Sequence, residues 1–258
     1  MTALPLAGKK LLLSNDDGIN APGLKVLEAI ARKLSRSLCI CAPELEQSGA
    51  GHSLTLRRPL RLKKLKAGRY HVDGTPTDAV LLALKKIASA KTTDLVLSGV
   101  NAGGNLGEDV TYSGTVAAAM EGALVGVPAI ALSQERVLGE AIQWRTAEAF
   151  APEIIAKLFA LGLSPNILMN INFPALPPDA VKGIKVVRQG RRKLGDQVEE
   201  RVDLRGERYY WIGSLRNEPD GQTGSDLEAI AEGYIAITPL HLDLTHDASM
   251  AAMTRLFS

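Results

Sequence analysis

Near the start of the chain stands Lys10-Leu11-Leu12-Leu13-Ser14-Asn15-Asp16-Asp17-Gly18. A short apolar run closed by polar residues and a glycine is typical of a strand buried on both faces, and we place this strand at residues 10–14. A polar loop follows, after which Leu24, Leu27 and Ile30 recur at helical spacing. The stretch therefore predicts one strand–loop–helix unit of an α/β fold.

The same alternation continues along most of the chain. Further strands are predicted at residues 38–42, 94–98, 128–132 and 166–172, with helices at 113–125 and 140–161. The quartet Thr75-Pro76-Thr77-Asp78 predicts another helix start, because Thr caps well, Pro suits the first helical position and Asp suits the first turn. A basic strand pair is expected near residues 54–65. The pattern is that of an α/β fold with a mainly parallel sheet and helices on both faces.

The pattern changes after residue 182. Residues 183–215 are charged, alternating and punctuated by glycine, which predicts an extended β-hairpin arm of the kind that often reaches a partner subunit. A helix at 226–231, a strand at 234–238 and an amphipathic C-terminal helix follow. We therefore divide the chain into a catalytic domain, residues 1–182, and an arm with the C-terminal segment, residues 183–258.

Composition excludes several classes of protein. The 258 residues include 30 Lys and Arg against 28 Asp and Glu, so no global charge attracts nucleic acid or a membrane surface. The basic group Arg191-Arg192-Lys193 is followed by acidic residues, which favours a solvated arm over an RNA-binding patch. No apolar run approaches the roughly 20 residues that span a bilayer. Because only three leucines follow Lys9-Lys10, we expect no signal peptide and a cytoplasmic location.

Ligands of an open parallel sheet bind beyond the carboxyl ends of its strands, so the loops there are where chemistry is expected. Three such loops are unusually polar, namely residues 15–18, 46–49 and 101–105. In the first, Asp16 and Asp17 are adjacent, and their mutual repulsion favours a cation between them. Oxygen ligands favour Mg²⁺, Mn²⁺ or Ca²⁺ over zinc. The alternative is that one carboxylate simply caps the following helix.

Two neutral oxygens could complete such a shell. Ser48 offers a hydroxyl and Asn101 an amide oxygen, although polar residues in Gly-rich loops are more often turn formers. The run Thr111-Tyr112-Ser113-Gly114-Thr115 lies at a helix start, where free backbone N–H groups can receive phosphate; a plain Ser N-cap is the alternative. The role of His52 is left open between phosphate chemistry and a backbone hydrogen bond.

Together these segments resemble the SurE family of survival-protein nucleotidases. The residues that carry the resemblance are Leu12-Leu13-Ser14-Asn15-Asp16-Asp17-Gly18, Ala42-Pro43 with Gln47-Ser48-Gly49, Gly74-Thr75-Pro76-Thr77-Asp78, the run 98–122 and the run 233–240. The resemblance implies a Rossmann-like three-layer fold, an exchanged C-terminal arm, and a homodimer or homotetramer. It also implies a 5′-nucleotidase that hydrolyses nucleoside 5′- and 3′-monophosphates with one divalent ion per subunit, Mg²⁺ or Mn²⁺. Some relatives also trim short polyphosphate.

Residue by residue, the resemblance implies two sets of ligands. The metal ligands fall on Asp16, Asp17, Ser48 and Asn101, and the phosphate-holding residues on Asn105, Ser113, Gly114 and Thr115. Asp16 and Asp17 are also the expected catalytic pair, either orienting water and accepting its proton or, through Asp16, forming an aspartyl-phosphate. The non-enzymatic alternative is a sensor that binds nucleotide at the same helix terminus without hydrolysing it.

Overall fold

The computed structural model describes residues 4–164, 166–192, 198–213 and 223–257. Its strands are β1 (Lys10–Ser14), β2 (Ser37–Pro43), β3 (Leu62–Lys66), β4 (Arg69–Val72), β5 (Leu95–Ala102), β6 (Ala129–Gln134), β7 (Ile167–Phe173), β8 (Ile184–Val186), β9 (Val198–Val202), β10 (Arg208–Ile212) and β11 (Ile235–His241). Its α-helices are α1 (Pro22–Arg32), α2 (Pro76–Lys86), α3 (Gly114–Leu124), α4 (Trp144–Leu161), α5 (Asp226–Ala231) and α6 (Asp247–Phe257). Short 3-10 turns lie at Gly107–Thr111 and Pro178–Ala180.

Nine strands form one sheet in the order β3-β4-β2-β1-β5-β6-β7-β11-β8. The six strands from β4 to β7 are parallel to their neighbours, while β3 and β11 pair antiparallel to β4 and β7. The predicted α/β fold with a mainly parallel sheet is confirmed. Because successive strands leave β1 in opposite directions, toward β2 and toward β5, the carboxyl ends of β1 and β5 flank a topological switch point, the usual position of a ligand crevice.

Alternate residues of β1 face two separate cores. Leu11 and Leu13 are fully buried among apolar side chains of α1 and α4, whereas Leu12 is buried among those of α2 and α3. A strand with helices over both faces must be apolar at every position, which is why the leucine run does not alternate with polar residues. The predicted three layers are thus observed.

The predicted start of α2 is confirmed in detail. The hydroxyl of Thr75 accepts a hydrogen bond of 3.1 Å from the Asp78 N–H, and the Asp78 carboxylate accepts one of 2.9 Å from the Thr75 N–H. The same carboxylate also accepts the backbone N–H of Thr55 at 3.0 Å. Residues 54–61 form no strand. The strand pair predicted near residues 54–65 is present but shifted along the chain, as β3 and β4 within residues 62–72.

Strand β5 extends to Ala102, four residues beyond the predicted end of the strand at residue 98. Its pairing with β6 is interrupted after Ser98 and resumes at Asn101 opposite Ser133. Gly99 lies in this interruption with φ +130°, where a Cβ atom would come 2.2 Å from the Leu132 carbonyl oxygen. Only glycine fits here, and the irregularity brings Asn101 to the end of the strand.

The C-terminal part of the chain contributes to the same sheet. β11 pairs with β7 and β8 pairs with β11. β9 and β10 form the separate antiparallel hairpin that was predicted for the arm, while residues 193–197 and 214–222 lie outside the described ranges. The division at residue 182 and the exchange of the arm between subunits stay predictions. No helix in the described ranges is long and apolar enough to cross a membrane.

Candidate active site

The polar loops that follow β1, β2 and β5 meet around one pocket of about 700 Å³. Six of the eight residues predicted for the site line it, and they come from segments far apart in the chain. They are Asp16, Asp17, Ser48, Asn101, Asn105 and Ser113. Gly114 and Thr115 are not among the lining residues, but they follow Ser113 directly at the start of α3 and lie against Asp16. The loops therefore converge at the switch point between β1 and β5, as the order of the strands requires.

Asp16 is held rigidly at the end of β1 and is only 4% exposed. The Thr115 hydroxyl donates to its Oδ1 atom. A Cβ atom at Gly114 would lie 2.6 Å from the Cβ of Asp16, so glycine is required for α3 to approach this closely. Burial raises the pKa of Asp16, and the hydroxyl and backbone N–H of Thr115 lower it in part.

The carboxylate of Asp17 has fewer hydrogen bonds to stabilise its charge than that of Asp16. Burial and then the neighbouring charge of Asp16 raise its pKa from 3.8 to about 6, against smaller lowering effects of the Ala102 backbone N–H and of Arg136. Its Oδ2 atom is buried without a hydrogen-bond partner. A buried charge without a partner is costly, and such groups are normally paired or bound to a metal. A cation at Asp16 and Asp17 would supply the missing interaction.

Ser48 and Asn101 flank the carboxylates with neutral oxygens. The Asn101 amide nitrogen donates to the Gly103 carbonyl at 2.9 Å, which orients the amide and leaves its oxygen for a ligand. The Ser48 hydroxyl donates to the Glu46 carboxylate at 2.8 Å. The loop of Ser48 is anchored by a 2.8 Å hydrogen bond from the Gln47 N–H to the Asp16 carbonyl. The loops after β1 and β2 are therefore fixed to each other by backbone contacts.

The described residues contain no group of three or more His, Cys, Asp or Glu side chains that could hold a metal. A cation here would instead take two carboxylates, one hydroxyl and one amide oxygen. This donor set is all oxygen, which suits hard ions such as Mg²⁺ and Mn²⁺ and disfavours zinc. The buried, unpartnered oxygen of Asp17 and the raised pKa values of both carboxyls support that fit.

Asn105 is fixed by two asparagines of β7 that were not predicted as part of the site. Its carbonyl accepts the side-chain amides of Asn170 at 2.8 Å and of Asn172 at 3.1 Å, and its N–H donates to the Asn172 side chain at 2.8 Å. Its own side-chain amide donates to the Ser133 hydroxyl at 2.8 Å. Both asparagines are fully buried. Two amide side chains in a strand predicted to lie in the sheet could have indicated such contacts, because buried amides need hydrogen-bond partners.

The base of the predicted arm braces the pocket from another side. The Asp226 carboxylate accepts the N–H groups of Gly107 at 3.0 Å and of Gly190 at 2.8 Å. Arg192 forms an ion pair with Asp109, and both side chains are at least nine-tenths buried. Asp109 itself lines the pocket. The segment before the hairpin is therefore attached to the loop that precedes α3, a connection that sequence reasoning missed.

Further side chains that were not predicted for the site line the same pocket. Glu46 stands beside Ser48, and its charge raises the pKa of both Asp16 and Asp17. Arg136 follows β6 and is the one Lys, Arg or His side chain among the described residues that line the pocket.

His52, for which two roles were considered, lies 3.2 Å from the carboxylate of Glu121 in α3. Its partner is thus a side chain rather than the nearby backbone.

Fold and site together define a class of protein. It is an α/β protein with a mainly parallel sheet in which paired carboxylates, neutral side-chain oxygens and a helix N-terminus meet at the carboxyl edge of the strands.

Comparison with known proteins identifies the family. The family described as "Survival protein SurE" matches residues 11–196. The 5′-nucleotidase SurE of Paramagnetospirillum magneticum is 55% identical over 260 residues, which cover 100% of both chains. The 5′-nucleotidase SurE of Parvibaculum lavamentivorans is 53% identical, covering 95% of this chain and 89% of that relative. The crystal structure of a SurE protein from Aquifex aeolicus superposes with a TM-score of 0.84 at 39% identity, covering 96% of this chain and 100% of that one. The chain belongs to the SurE family.

Thr115 does not line the pocket, but its hydroxyl is expected to matter for binding of the predicted cation. Thr115→Val keeps the shape of the side chain but removes the donor to Asp16. Partners of metal ligands typically contribute 10–100-fold to metal affinity, so we expect a loss of about that size. Isothermal titration with Mn²⁺ measures it. Thr115→Ser keeps the hydroxyl and should bind Mn²⁺ nearly as well as the wild type; equal losses in both variants would contradict this role.

Proposed function

We propose that this protein is a phosphomonoesterase that hydrolyses nucleoside 5′-monophosphates with one divalent ion, Mg²⁺ or Mn²⁺, per subunit. The observation that carries the proposal is the carboxylate pair of Asp16 and Asp17. The Oδ2 atom of Asp17 is buried without a hydrogen-bond partner. Ser48 and Asn101 line the same pocket as the pair. The relatives described above bear the name 5′-nucleotidase, which supports the same activity here.

The proposed cation ligands are Asp16, Asp17, Ser48 and Asn101. When bound, a divalent ion acts as a Lewis acid on a phosphoryl oxygen and lowers the pKa of water. Two negative carboxylates would repel a phosphate dianion, so the protein side of this site is suited to phosphate only with the ion's charge present. This requirement favours hydrolysis over simple anion binding.

The N-terminus of α3 is the proposed phosphate site. Ser113 caps the helix by accepting the Val116 N–H at 3.0 Å, which leaves the Gly114 N–H at the positive end of the helix. One amide hydrogen of Asn105 goes to Ser133, and the second can donate to phosphate. Thr115 directs both its hydroxyl and its N–H at Asp16. We therefore assign Asn105, Ser113 and Gly114 to phosphate and Thr115 to positioning Asp16.

The two carboxylates differ in environment, and we assign them different tasks. Asp16 is almost fully buried and fixed by Thr115, so it serves as an anchored ligand. Asp17 is more exposed to the pocket, so its carboxylate is the one placed to orient the attacking water and accept its proton. In the alternative mechanism an aspartyl-phosphate would have to form through Oδ2 of Asp16, because its Oδ1 atom accepts the Thr115 hydroxyl.

Several finer assignments rest on the family resemblance. They comprise hydrolysis of 3′-monophosphates and short polyphosphate, a cytoplasmic location, and a homodimer or homotetramer with an exchanged arm. Support for the oligomer comes from exposed apolar side chains on two elements. The hairpin exposes Tyr209, Tyr210 and Trp211, and α6 exposes Leu256 and Phe257. Apolar residues clustered on exposed elements are typical of subunit contacts.

Phosphate release from nucleoside monophosphates tests the proposed activity. We expect release from AMP with Mn²⁺ or Mg²⁺, its loss in EDTA, and its recovery when metal is added back. Asp17→Asn should lower kcat by roughly 10²–10⁴-fold, the usual contribution of a positioned acid or base. Asp179→Asn is the matched control, because Asp179 is an exposed aspartate in the turn Pro178–Ala180.

Two outcomes would contradict the proposal. Full activity of Asp17→Asn would remove this carboxylate from the reaction. Binding of AMP without phosphate release under any metal would instead identify the protein as the nucleotide sensor considered above.

Stability should depend jointly on pH and metal. The pKa of Asp17 is raised from 3.8 to about 6, so the folded protein holds this proton more tightly than the unfolded chain. The metal-free protein therefore loses stability as pH rises through that window, and a cation that replaces the proton restores it. We expect saturating Mn²⁺ to raise Tm by at least about 2 °C more at pH 7.5 than at pH 5. Scanning calorimetry of the protein in Mn²⁺ and in EDTA measures the Tm shift at each pH.

Equal Tm shifts at pH 7.5 and pH 5 would contradict this account. So would an Asp17→Asn variant in which the difference between the two shifts is as large as in the wild type.

A further inference from the structure

The pocket has an apolar part that the reaction proposed above does not use. Its volume of about 700 Å³ is within the range of sites that enclose an entire small molecule. Besides the polar loops, it is lined by Ala21 and Pro22 at the start of α1 and by Ile142 and Trp144 at the start of α4. A phosphate and a cation would contact only the polar loops. The apolar residues therefore indicate that a further, apolar part of the ligand binds in this pocket.

Trp144 lies beside the first turn of α1, close to where this helix approaches β5. Its Cη2 atom is 3.3 Å from the position that a Cβ atom on Gly23 would occupy, in the first turn of the helix that follows Asp16 and Asp17. That same position is 1.9 Å from the carbonyl oxygen of Val100, the residue before Asn101. The tip of the indole is thus in van der Waals range of α1, close to where α1 meets the end of β5.

The indole is partly buried and held at its base. It packs against the core between the sheet and helices α1 and α4, and its backbone N–H donates to the Ile142 carbonyl at 2.9 Å. The remaining exposed part of the side chain lines the pocket. An aromatic side chain fixed in this way loses little conformational entropy when a ligand binds. It provides a preformed flat surface.

We propose that Trp144, with Pro22 and Ile142, forms the surface on which the nucleobase of the substrate stacks. This inference rests on the proposed nucleotidase function and names the part of the protein that distinguishes a nucleotide from other phosphomonoesters. Nucleobases are flat and aromatic, and each presents a face that stacks on an indole whatever its hydrogen-bonding edge. The surface therefore favours nucleotides as a class and discriminates weakly among bases.

Kinetics with a matched pair of substrates tests this surface. AMP and ribose 5-phosphate share the phosphate and the sugar and differ in the base. Stacking on an aromatic side chain contributes roughly 5- to 150-fold in affinity, so the ratio of kcat/KM for AMP to that for ribose 5-phosphate should fall by such a factor in Trp144→Leu. Trp144→Phe keeps an aromatic face and should retain most of the ratio. An unchanged ratio in Trp144→Leu would overturn the proposal.

Fluorescence gives a second test with Trp144 intact. The chain has two tryptophans, and the other is Trp211 on the exposed strand β10. In Trp211→Phe all indole emission comes from Trp144. Titration of this full-length protein with adenosine should change that emission saturably, whereas D-ribose should not. No change with adenosine would overturn the proposal even if Trp144→Leu failed to fold.

The two tests separate this inference from the function on which it rests. If the wild type releases phosphate from neither AMP nor ribose 5-phosphate, the proposed hydrolysis is wrong. The adenosine titration requires no hydrolysis and decides the base-stacking surface by itself.

Discussion

The repulsion between two adjacent carboxylates is the constraint on which the rest of this structure depends. Asp16 and Asp17 follow directly from a buried strand, so neither side chain can move fully into water. The protein relieves the resulting cost only in part, through Thr115 for one carboxylate and the Ala102 N–H and Arg136 for the other. One Asp17 oxygen remains without a partner. This uncompensated cost at the switch point is the main support for the cation site that we propose there.

The surrounding elements hold this pair in place. Gly114 allows α3 to approach Asp16 closely, and the Gln47 N–H fixes the second loop to the first. Farther out, buried asparagines of β7 hold the Asn105 loop, and Asp226 ties the turn before α3 to the segment leading into the hairpin. Because these contacts come from different parts of the chain, the site can form only when the whole sheet is assembled.

Much of this arrangement could be predicted from the sequence because it follows local rules. The leucine run of β1 and the Thr75–Asp78 helix start depend on neighbouring residues, and the strand order then brings the polar loops together.

The contacts that could not be predicted join residues that are far apart in the chain. Gly107 and Asp226 are 119 positions apart, and Asp109 and Arg192 are 83 apart. The strand pair expected near residues 54–65 begins only at residue 62 for the same reason, since Asp78, 23 positions from Thr55, binds the preceding segment. The direction of Thr115, toward Asp16, also depends on such a distant contact.

The most direct test of the central claim is to locate the ion itself. Crystals grown with Mn²⁺ and measured at the manganese absorption edge should give an anomalous peak between the carboxylates of Asp16 and Asp17. The account predicts oxygen ligands from both aspartates, from Ser48 and from Asn101 at roughly 2.0–2.6 Å, the range of hard divalent ions. A peak at another place on the protein, or no peak at these residues in saturating Mn²⁺, would contradict it.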